Sequence, residues 1–170
     1  MEQANYYNFA GRHAVITGGA AGIGLAIARR LAAGGASLTL WDRDIAQLQE
    51  AKAALGSSGY VQCVTVDVSS AEQVNAARNA TVEGGGEVDI LVNSAGIGLR
   101  HAAVEHPLAD WDRVVAVNLT GVFLCSRIAA RSMTTAAAAR SSTSPRLWGS
   151  RVAASTRTCR IRRPRAPSST

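Results

Sequence analysis

Three times in its first 82 residues the chain sets a short β-branched apolar run before a stretch with apolar residues at helical spacing, and this alternation limits the fold more than any other feature. HAVITG (13–18) precedes IGLAIARRLAAGG (23–35), SLTLWDR (37–43) precedes a helical pattern over 44–55, and YVQCVTVDV (60–68) precedes another over 71–82. A fourth run, VDILVNSAG (88–96), leads into a loop and then a long helical pattern over roughly 109–133. Strands apolar on both faces and separated by helices form a parallel sheet covered on both sides, joined by right-handed crossovers. The expected class is α/β, a doubly wound parallel sheet of about four strands with its helices. The 109–133 helix is apolar over most of its surface, so it should be buried or paired with a partner.

The alternation stops at Met133. Residues 134–170 contain eight arginines and no Asp or Glu, so the whole-chain net charge of +6 divides into −2 for residues 1–133 and +8 for the rest. The Ser, Thr, Arg and Pro content of this tail predicts disorder. The expected organisation is one domain over 1–133 and a basic low-complexity tail over 134–170. A basic surface ordinarily suggests nucleic acid or an anionic membrane. Here that argument reaches only the tail, whose one aromatic, Trp148, supplies no stacking platform. The three cysteines, Cys63, Cys125 and Cys159, are far apart and contain no C-x-x-C pair, which suggests neither zinc nor a redox dithiol but a reduced, cytoplasmic protein. The N-terminus MEQANYYNFAGRHAVITGG reads as neither a signal nor a transit peptide, and no apolar run suggests a membrane span.

The first strand meets the first helix at TGGAAGIG, which places Gly18, Gly22 and Gly24 in the turn. Glycines let a backbone turn sharply and approach a pyrophosphate, whose charge is stabilised by the free N–H groups and dipole of the helix N-terminus. The same sequence also suits a turn that only packs.

Four motifs in order resolve that ambiguity by resemblance. Thr17-Gly18-x-x-x-Gly22-Ile23-Gly24, the VDV of 66–68, the NSAG of 93–96 and the VNLTG of 117–121 together resemble the short-chain dehydrogenase/reductase family, over residues of about 10–133 or roughly the first half of a typical member. The resemblance implies a Rossmann-like fold, incomplete in this chain, and a nicotinamide dinucleotide held by Thr17, Gly18, Gly22, Ile23 and Gly24. It places Asp67 near the adenine and Val68 against the ring. Asn93, Ala95 and Gly96 belong to the segment that supports the sheet and borders the cofactor, with Ser94 standing where the family has a second Asn. Asn118 takes the position of the family's catalytic asparagine. No metal is implied.

Asp42 ends the second strand, 18 residues after Gly24. A carboxylate there accepts hydrogen bonds from both adenosine ribose hydroxyls and repels a 2′-phosphate, which favours NAD over NADP. Arg43 softens that choice, since guanidinium binds phosphate. Ala21 stands where NADP-preferring members often carry a basic residue. The alternative for Asp42 is a cap on the helix starting near 44.

The family's chemistry needs a tyrosine as acid-base group, a lysine that tunes it and a serine that positions the substrate oxygen, while the cofactor carries the hydride. The Y-x-x-x-K signature should follow Asn118 and is absent from residues 1–170. Tyr6, Tyr7 and Tyr60 lie away from the carboxyl ends of strands, where such sites form. Lys52, the only lysine, reads as solvated. His101 and His106 read as loop histidines or substrate contacts, and Asp110 as a helix cap.

The tail yields the missing signature when its codons are read out of phase. Joining the last base of each codon to the first two of the next permits, from Ala139 onward, S-I-V-N-I-S-S-V-M-G-L-S-G-G-G-L-Y-P-N-M-S-Y-x-x-S-K-G-A-V-V-N. This contains a strand, the serine and then Y-x-x-x-K. Third bases are free, but the middle base of each shifted codon is largely fixed by the printed residues. A frame change near 133–136 is therefore expected, with the arginines its by-product. The readings that follow are an NAD(P)-dependent oxidoreductase acting on a secondary alcohol or carbonyl, with a polyol as the family's suggestion, whose printed chain is catalytically impaired, and alternatively a dinucleotide-binding module without turnover. No nucleic-acid or membrane partner is expected. The homotetramer usual in the family is doubtful for this chain.

Overall fold

The computed structural model describes residues 7–56 and 59–143. Four parallel strands, β1 (His13–Thr17), β2 (Ser37–Asp42), β3 (Val61–Thr65) and β4 (Ile90–Asn93), form one sheet in the order β3-β2-β1-β4. Between them run α1 (Gly22–Ala33), α2 (Ile45–Leu55) and α3 (Ala71–Gly85). After β4 come a short 3₁₀ turn (Ala103–Glu105) and one long helical rod: α4 (Leu108–Val115), a π-helical segment (Ala116–Gly121) and α5 (Val122–Thr143). The sequence-predicted α/β class, strand positions and helix alternation are all present.

Each strand divides its side chains between two cores. Ala14 and Ile16 of β1 with Leu38 and Leu40 of β2 face α1 and α2, where Ala28, Leu31, Leu48 and Leu55 close the first cluster. Val15, Trp41 and Val66 face the other way, against Val74 and Ala77 of α3 and Leu124, Cys125 and Ile128 of α5. This period-two division, with helices on both faces, is what makes the sheet doubly wound. Full burial of a residue such as Leu38 or Ile16 contributes about 1.5–3 kcal/mol. Most polar groups inside are paired: His13 Nε2 lies 2.8 Å from Thr39 Oγ1, Thr39 donates to Gln62 Oε1 at 3.1 Å, and Trp41 Nε1 donates to Thr81 Oγ1 at 2.9 Å. The exceptions among the described residues are Ser132 Oγ and Glu87 Oε2, buried without a hydrogen-bond partner.

Several boundaries differ from the sequence reading, which gave longer third and fourth strands than are present. Helix α3 runs to Gly85, past the expected end at 82, and its last turn is crowded: a Cβ on Gly84 would lie 2.6 Å from Tyr60 Oη, and one on Gly85 would lie 2.6 Å from His13 Cε1. The helix expected over 109–133 is interrupted by the π segment and continues to Thr143, so Met133 is not an element boundary. Alanine is the strongest helix former, and the four alanines at 136–139 propagate the helix without an apolar stripe. The rest of the expected tail, 144–170, lies outside the described residues.

A further correction concerns length. Leu108–Met133 is long and apolar enough to cross a membrane by length and composition alone, with a mean hydropathy of 1.4 in its most apolar window. Its buried residues Leu124, Cys125, Ile128 and Ala129 are part of the protein core. The rest of the rod is less covered, with Trp111, Leu119 and Phe123 each more than half exposed, so the expected all-round burial is only partly met among the described residues.

Strand β4 is an edge among the described residues, paired with β1 alone. The Asp89 N–H donates to His13 O at 2.9 Å, which sets the phase of the ladder. Alternation then turns the Leu91 N–H toward β1 and those of Ile90 and Val92 away from it. An uncharged edge free of proline invites pairing with another chain. Val92→Pro keeps the hydrogen bonds of β4 to β1 and trims one partly buried side chain, so it should keep the far-UV circular dichroism spectrum while lowering concentration-dependent association by light scattering; Leu91→Pro should unfold the sheet. Equal association for wild type and Val92→Pro would contradict this account of the edge.

Candidate functional site

A cleft of about 540 Å³ opens at the carboxyl ends of the strands, where open parallel sheets bind ligands. Its walls come from the glycine loop, the end of β2, the turn after β3, the segment after β4 and the start of the long rod. Two strand ends must approach each other closely to form it. Thr17 is 1% exposed, and its hydroxyl accepts hydrogen bonds from the Ser94 and Ala95 N–H groups, both at 3.1 Å. Gly18 follows with φ +63°, and a Cβ on it would sit 2.8 Å from Ala95 Cα and N. Only glycine satisfies both conditions. One turn later, a Cβ on Gly24 would fall on the Gly18 carbonyl, so α1 is seated against the loop through its lack of a side chain.

The N-terminus of α1 differs from those of the next two helices. Asp44 caps α2, its Oδ1 accepting from the Ala46 and Gln47 N–H groups at 3.0 and 3.1 Å. Ser70 caps α3 through Gln73 N–H. The α1 cap is Ala21, which has no acceptor to offer, and no acid stands in the first turn. Its leading N–H groups therefore lack side-chain partners and open with Gly22 and Gly24 into the cleft. Uncapped N–H donors at the positive end of a helix dipole suit a pyrophosphate. The residues present fit a dinucleotide.

Beside the glycine loop stands Asp42. Its Oδ2 accepts from Ala20 N–H and its Oδ1 from Asp44 N–H, both at 3.3 Å, so the carboxylate ties the glycine loop to the end of β2. It is not the helix cap, which is Asp44. Asp67 accepts from the Ser69 hydroxyl at 2.6 Å and the Ser69 N–H at 2.9 Å, both on Oδ1. These bonds, with the nearby Arg43 and Arg113 guanidiniums, hold its carboxyl below the usual range against a smaller effect of burial. Val68, buried beside it, touches the rod: a Cβ on Gly121 would meet Val68 Cγ2 at 2.9 Å.

Of the sequence-predicted residues, Gly18, Gly22, Ile23, Gly24, Asp42, Asp67, Val68, Ala95 and Gly96 all line the cleft. Thr17 sits behind it as the stitch between β1 and β4. Asn93 points elsewhere, its Nδ2 donating to Ser126 Oγ at 3.0 Å and so fixing α5 to the sheet end. Asn118 lies in the π segment and borders the cleft through Ile97: its Oδ1 accepts from Ile97 N–H and its Nδ2 donates to Ile97 O, both at 2.9 Å. Both polar atoms of its side chain are thereby occupied in bracing the loop after β4. Asp110 is not a cap. It lies in the first turn of α4, whose N-cap is Pro107, with its Oδ2 2.7 Å from His101 Nε2. His101 and His106 meet edge to face at 4.9 Å, outside the cleft lining. No group of three metal-ligating side chains occurs among the described residues. The sequence reading missed Trp41, Gln47, Ile97, Arg113 and Val117 as lining residues. Gln47 and Arg113 come from helices and no motif marks them, whereas Val117 opens the VNLTG motif without having been read as a lining residue.

The thiols carry no sign of reactivity. Cys63 and Cys125 are free, and burial raises both, Cys125 to about 11. Cys159 lies outside the described residues.

Comparisons with known proteins agree with this geometry. The short chain dehydrogenase family profile matches residues 12–141. Galactitol 2-dehydrogenase (L-tagatose-forming) of Cereibacter sphaeroides is 43% identical over 133 residues, covering 78% of this chain and 52% of that protein. D-threitol dehydrogenase of Mycolicibacterium smegmatis is 39% identical over 124 residues, covering 72% and 48%. The crystal structure of L-sorbose reductase from Gluconobacter frateurii, complexed with NADPH and L-sorbose, superposes with a TM-score of 0.72 at 33% identity, covering 76% of this chain and 50% of that one. A parallel αβ sheet with a glycine loop at an uncapped helix N-terminus and a carboxylate ending its second strand is an arrangement suited to a dinucleotide. This chain belongs to the short-chain dehydrogenase family, and it spans about half the length of the curated relatives it matches.

Two measurements test the site as built. Thr17→Val leaves two N–H groups without their acceptor and should lower stability by about 1–3 kcal/mol in urea titration. Gly18→Ala should cost more than Gly22→Ala, because position 22 has φ +52° but open space around it, whereas position 18 has strain and collision together. Equal costs at 18 and 22 would contradict the close approach. The pH dependence carries a sign of its own. Asp67 has a lowered pKa in the folded chain, so its contribution is present above the unfolded value of about 3.9 and lost as pH falls through the folded value. Asp67→Asn should therefore flatten the loss of stability below about pH 4.

Proposed function

We propose that this domain is the cofactor-binding half of an NAD-dependent oxidoreductase that transfers hydride between the nicotinamide and a secondary alcohol or carbonyl, with a polyol as the substrate class. The observation that carries the reading is the pairing, within one cleft, of the uncapped α1 N-terminus with the Asp42 carboxylate at the end of β2. The first suits the pyrophosphate; the second suits the ribose hydroxyls and disfavours a 2′-phosphate. NADPH is the cofactor in the L-sorbose reductase structure, so the preference for NAD rests on Asp42 and the uncharged loop residue Ala21. The polyol class is supported by the names of the galactitol and D-threitol enzymes.

The bound dinucleotide would supply the hydride acceptor. Gly18, Gly22 and Gly24 hold the pyrophosphate, Asp42 the ribose, Asp67 and Val68 the adenine, and Ala95 and Gly96 border the remainder. Asn118 holds the loop through Ile97 and so shapes the cleft wall next to which chemistry would occur. The printed 170 residues contain no Y-x-x-x-K, hence no positioned acid-base group of the family's kind. A general acid-base group contributes about 10²- to 10⁴-fold. The chain as printed is therefore impaired, and the shifted reading from Ala139 carries the missing tyrosine and lysine. The cytoplasm is the proposed compartment. The alternative, a domain that holds NAD without turnover, is favoured by that same absence.

Calorimetric titration of the 170-residue chain should give tighter binding of NAD than of NADP, and Asp42→Ala should narrow the difference. Tighter NADP binding by the wild type would overturn the role of Asp42. Absorbance of reduced nicotinamide, with a panel of polyols and secondary alcohols, should show no turnover by the printed chain and turnover once the frame is restored near Met133. A restored chain that folds, binds NAD and oxidises nothing on the panel would favour the binding module.

A further inference from the structure

The sequence motifs account for most of the cleft but not for Arg113, an exposed cation that α4 contributes to its lining. Its lining neighbours on the rod, Ala116 and Val117, are apolar, and the turn after β3 contributes Asp67 and Val68 to the same cleft. Among the described residues Arg113 is in no ion pair. The Asp67 carboxylate has Oδ1 taken up by the two Ser69 donors, and the charges of Arg43 and Arg113 both act on it. Two guanidiniums from different elements thus lie near the Asp67-Val68 turn, and the one on α4 lines the same cleft as Val68.

We propose that Arg113 contacts the adenine base, its planar guanidinium lying against a purine face. This rests on the dinucleotide reading above and adds a binding residue to it. The chemistry favours arginine at such a place. A guanidinium is flat, weakly hydrated and attracted to an aromatic face, so it covers a base without needing a hydrogen-bond partner there. Val68 lines the same cleft with apolar surface, and Asp67 keeps Oδ2 free of hydrogen bonds among the described residues, open to an amino group at the base edge. A compact ammonium would supply the charge without the plane. The competing assignment is a phosphate ligand, in which Arg113 and Arg43 together would hold a 2′-phosphate.

The test is titration of the wild-type chain, Arg113→Ala and Arg113→Lys with four probes: NAD, NADP, AMP and nicotinamide mononucleotide. AMP and nicotinamide mononucleotide each carry one phosphate, so a general electrostatic effect moves both, whereas a contact with adenine moves AMP alone. Arg113→Ala is expected to raise Kd for NAD and AMP about 3- to 10-fold while leaving nicotinamide mononucleotide unchanged. Arg113→Lys should recover only a small part of the loss. A loss confined to NADP, equal losses for AMP and nicotinamide mononucleotide, full recovery with lysine, or no change in AMP affinity would each overturn the proposal. Since Arg113 is exposed, unchanged thermal melts are expected for both variants, and a melt shifted downward together with weaker binding of every probe would overturn it as well. If the wild type binds neither NAD nor AMP, it is the dinucleotide reading that fails, and this inference falls with it.

Discussion

The contact on which the cleft depends is the one between the ends of β1 and β4. A single hydroxyl, Thr17 Oγ1, serves the Ser94 and Ala95 N–H groups, and the next residue has no side chain because Ala95 occupies the space one would need. From this stitch follow the sharp turn at Gly18, the seating of Gly24 on the loop and the direction in which α1 leaves it. The helix dipole then points its uncapped end into the cleft, where a negative ligand supplies what Ala21 does not. Asp42 holds the same loop from the other side through Ala20 N–H. Loop, strand end and carboxylate are thus one mechanical unit, and an electrostatic preference at Asp42 is inseparable from the position of the glycines.

Much of this was legible in the sequence, for physical reasons that can be stated. Strands buried on both faces have little room for polar residues, so HAVIT and SLTLWD stand out against the helices between them; the less buried VQCVT stands out by its β-branched residues. The loop glycines are legible because no other residue meets the backbone demands at 18 and 24. What escaped depends on tertiary neighbours. Helix α3 continues through Gly84 and Gly85, on which two rings from other elements press, and local propensity does not reveal this. Asp110 follows the pattern of a cap, yet its carboxylate meets His101 instead. Arg113 and Val117 belong to the cleft only because the rod crosses it.

The long rod joins the site to the incomplete side of the sheet. Its π segment places Asn118 against Ile97, its Gly121 lets it close on Val68, and its apolar residues Leu124, Cys125 and Ile128 fill the second core. The same rod leaves β4 with one side of its ladder unpaired among the described residues and carries Trp111, Leu119 and Phe123 into solvent. A helix of this composition is suited to be covered, and an edge of this composition is suited to be paired. The shifted reading, which begins with the β-branched stretch S-I-V-N-I-S, is a sequence of the kind that a parallel strand beside β4 requires.

The account's central claim is that the glycine loop, Asp42 and the segment after β4 together hold a dinucleotide. The most direct measurement is titration of the isotopically labelled 170-residue chain with NAD, followed through backbone amide resonances. The account predicts saturable shifts concentrated at Gly18, Gly22, Gly24, Asp42, Val68 and Ala95, with the α1 N-terminal amides moving most. Shifts confined to other surfaces, or resonances at these positions that do not move at saturating NAD, would contradict it.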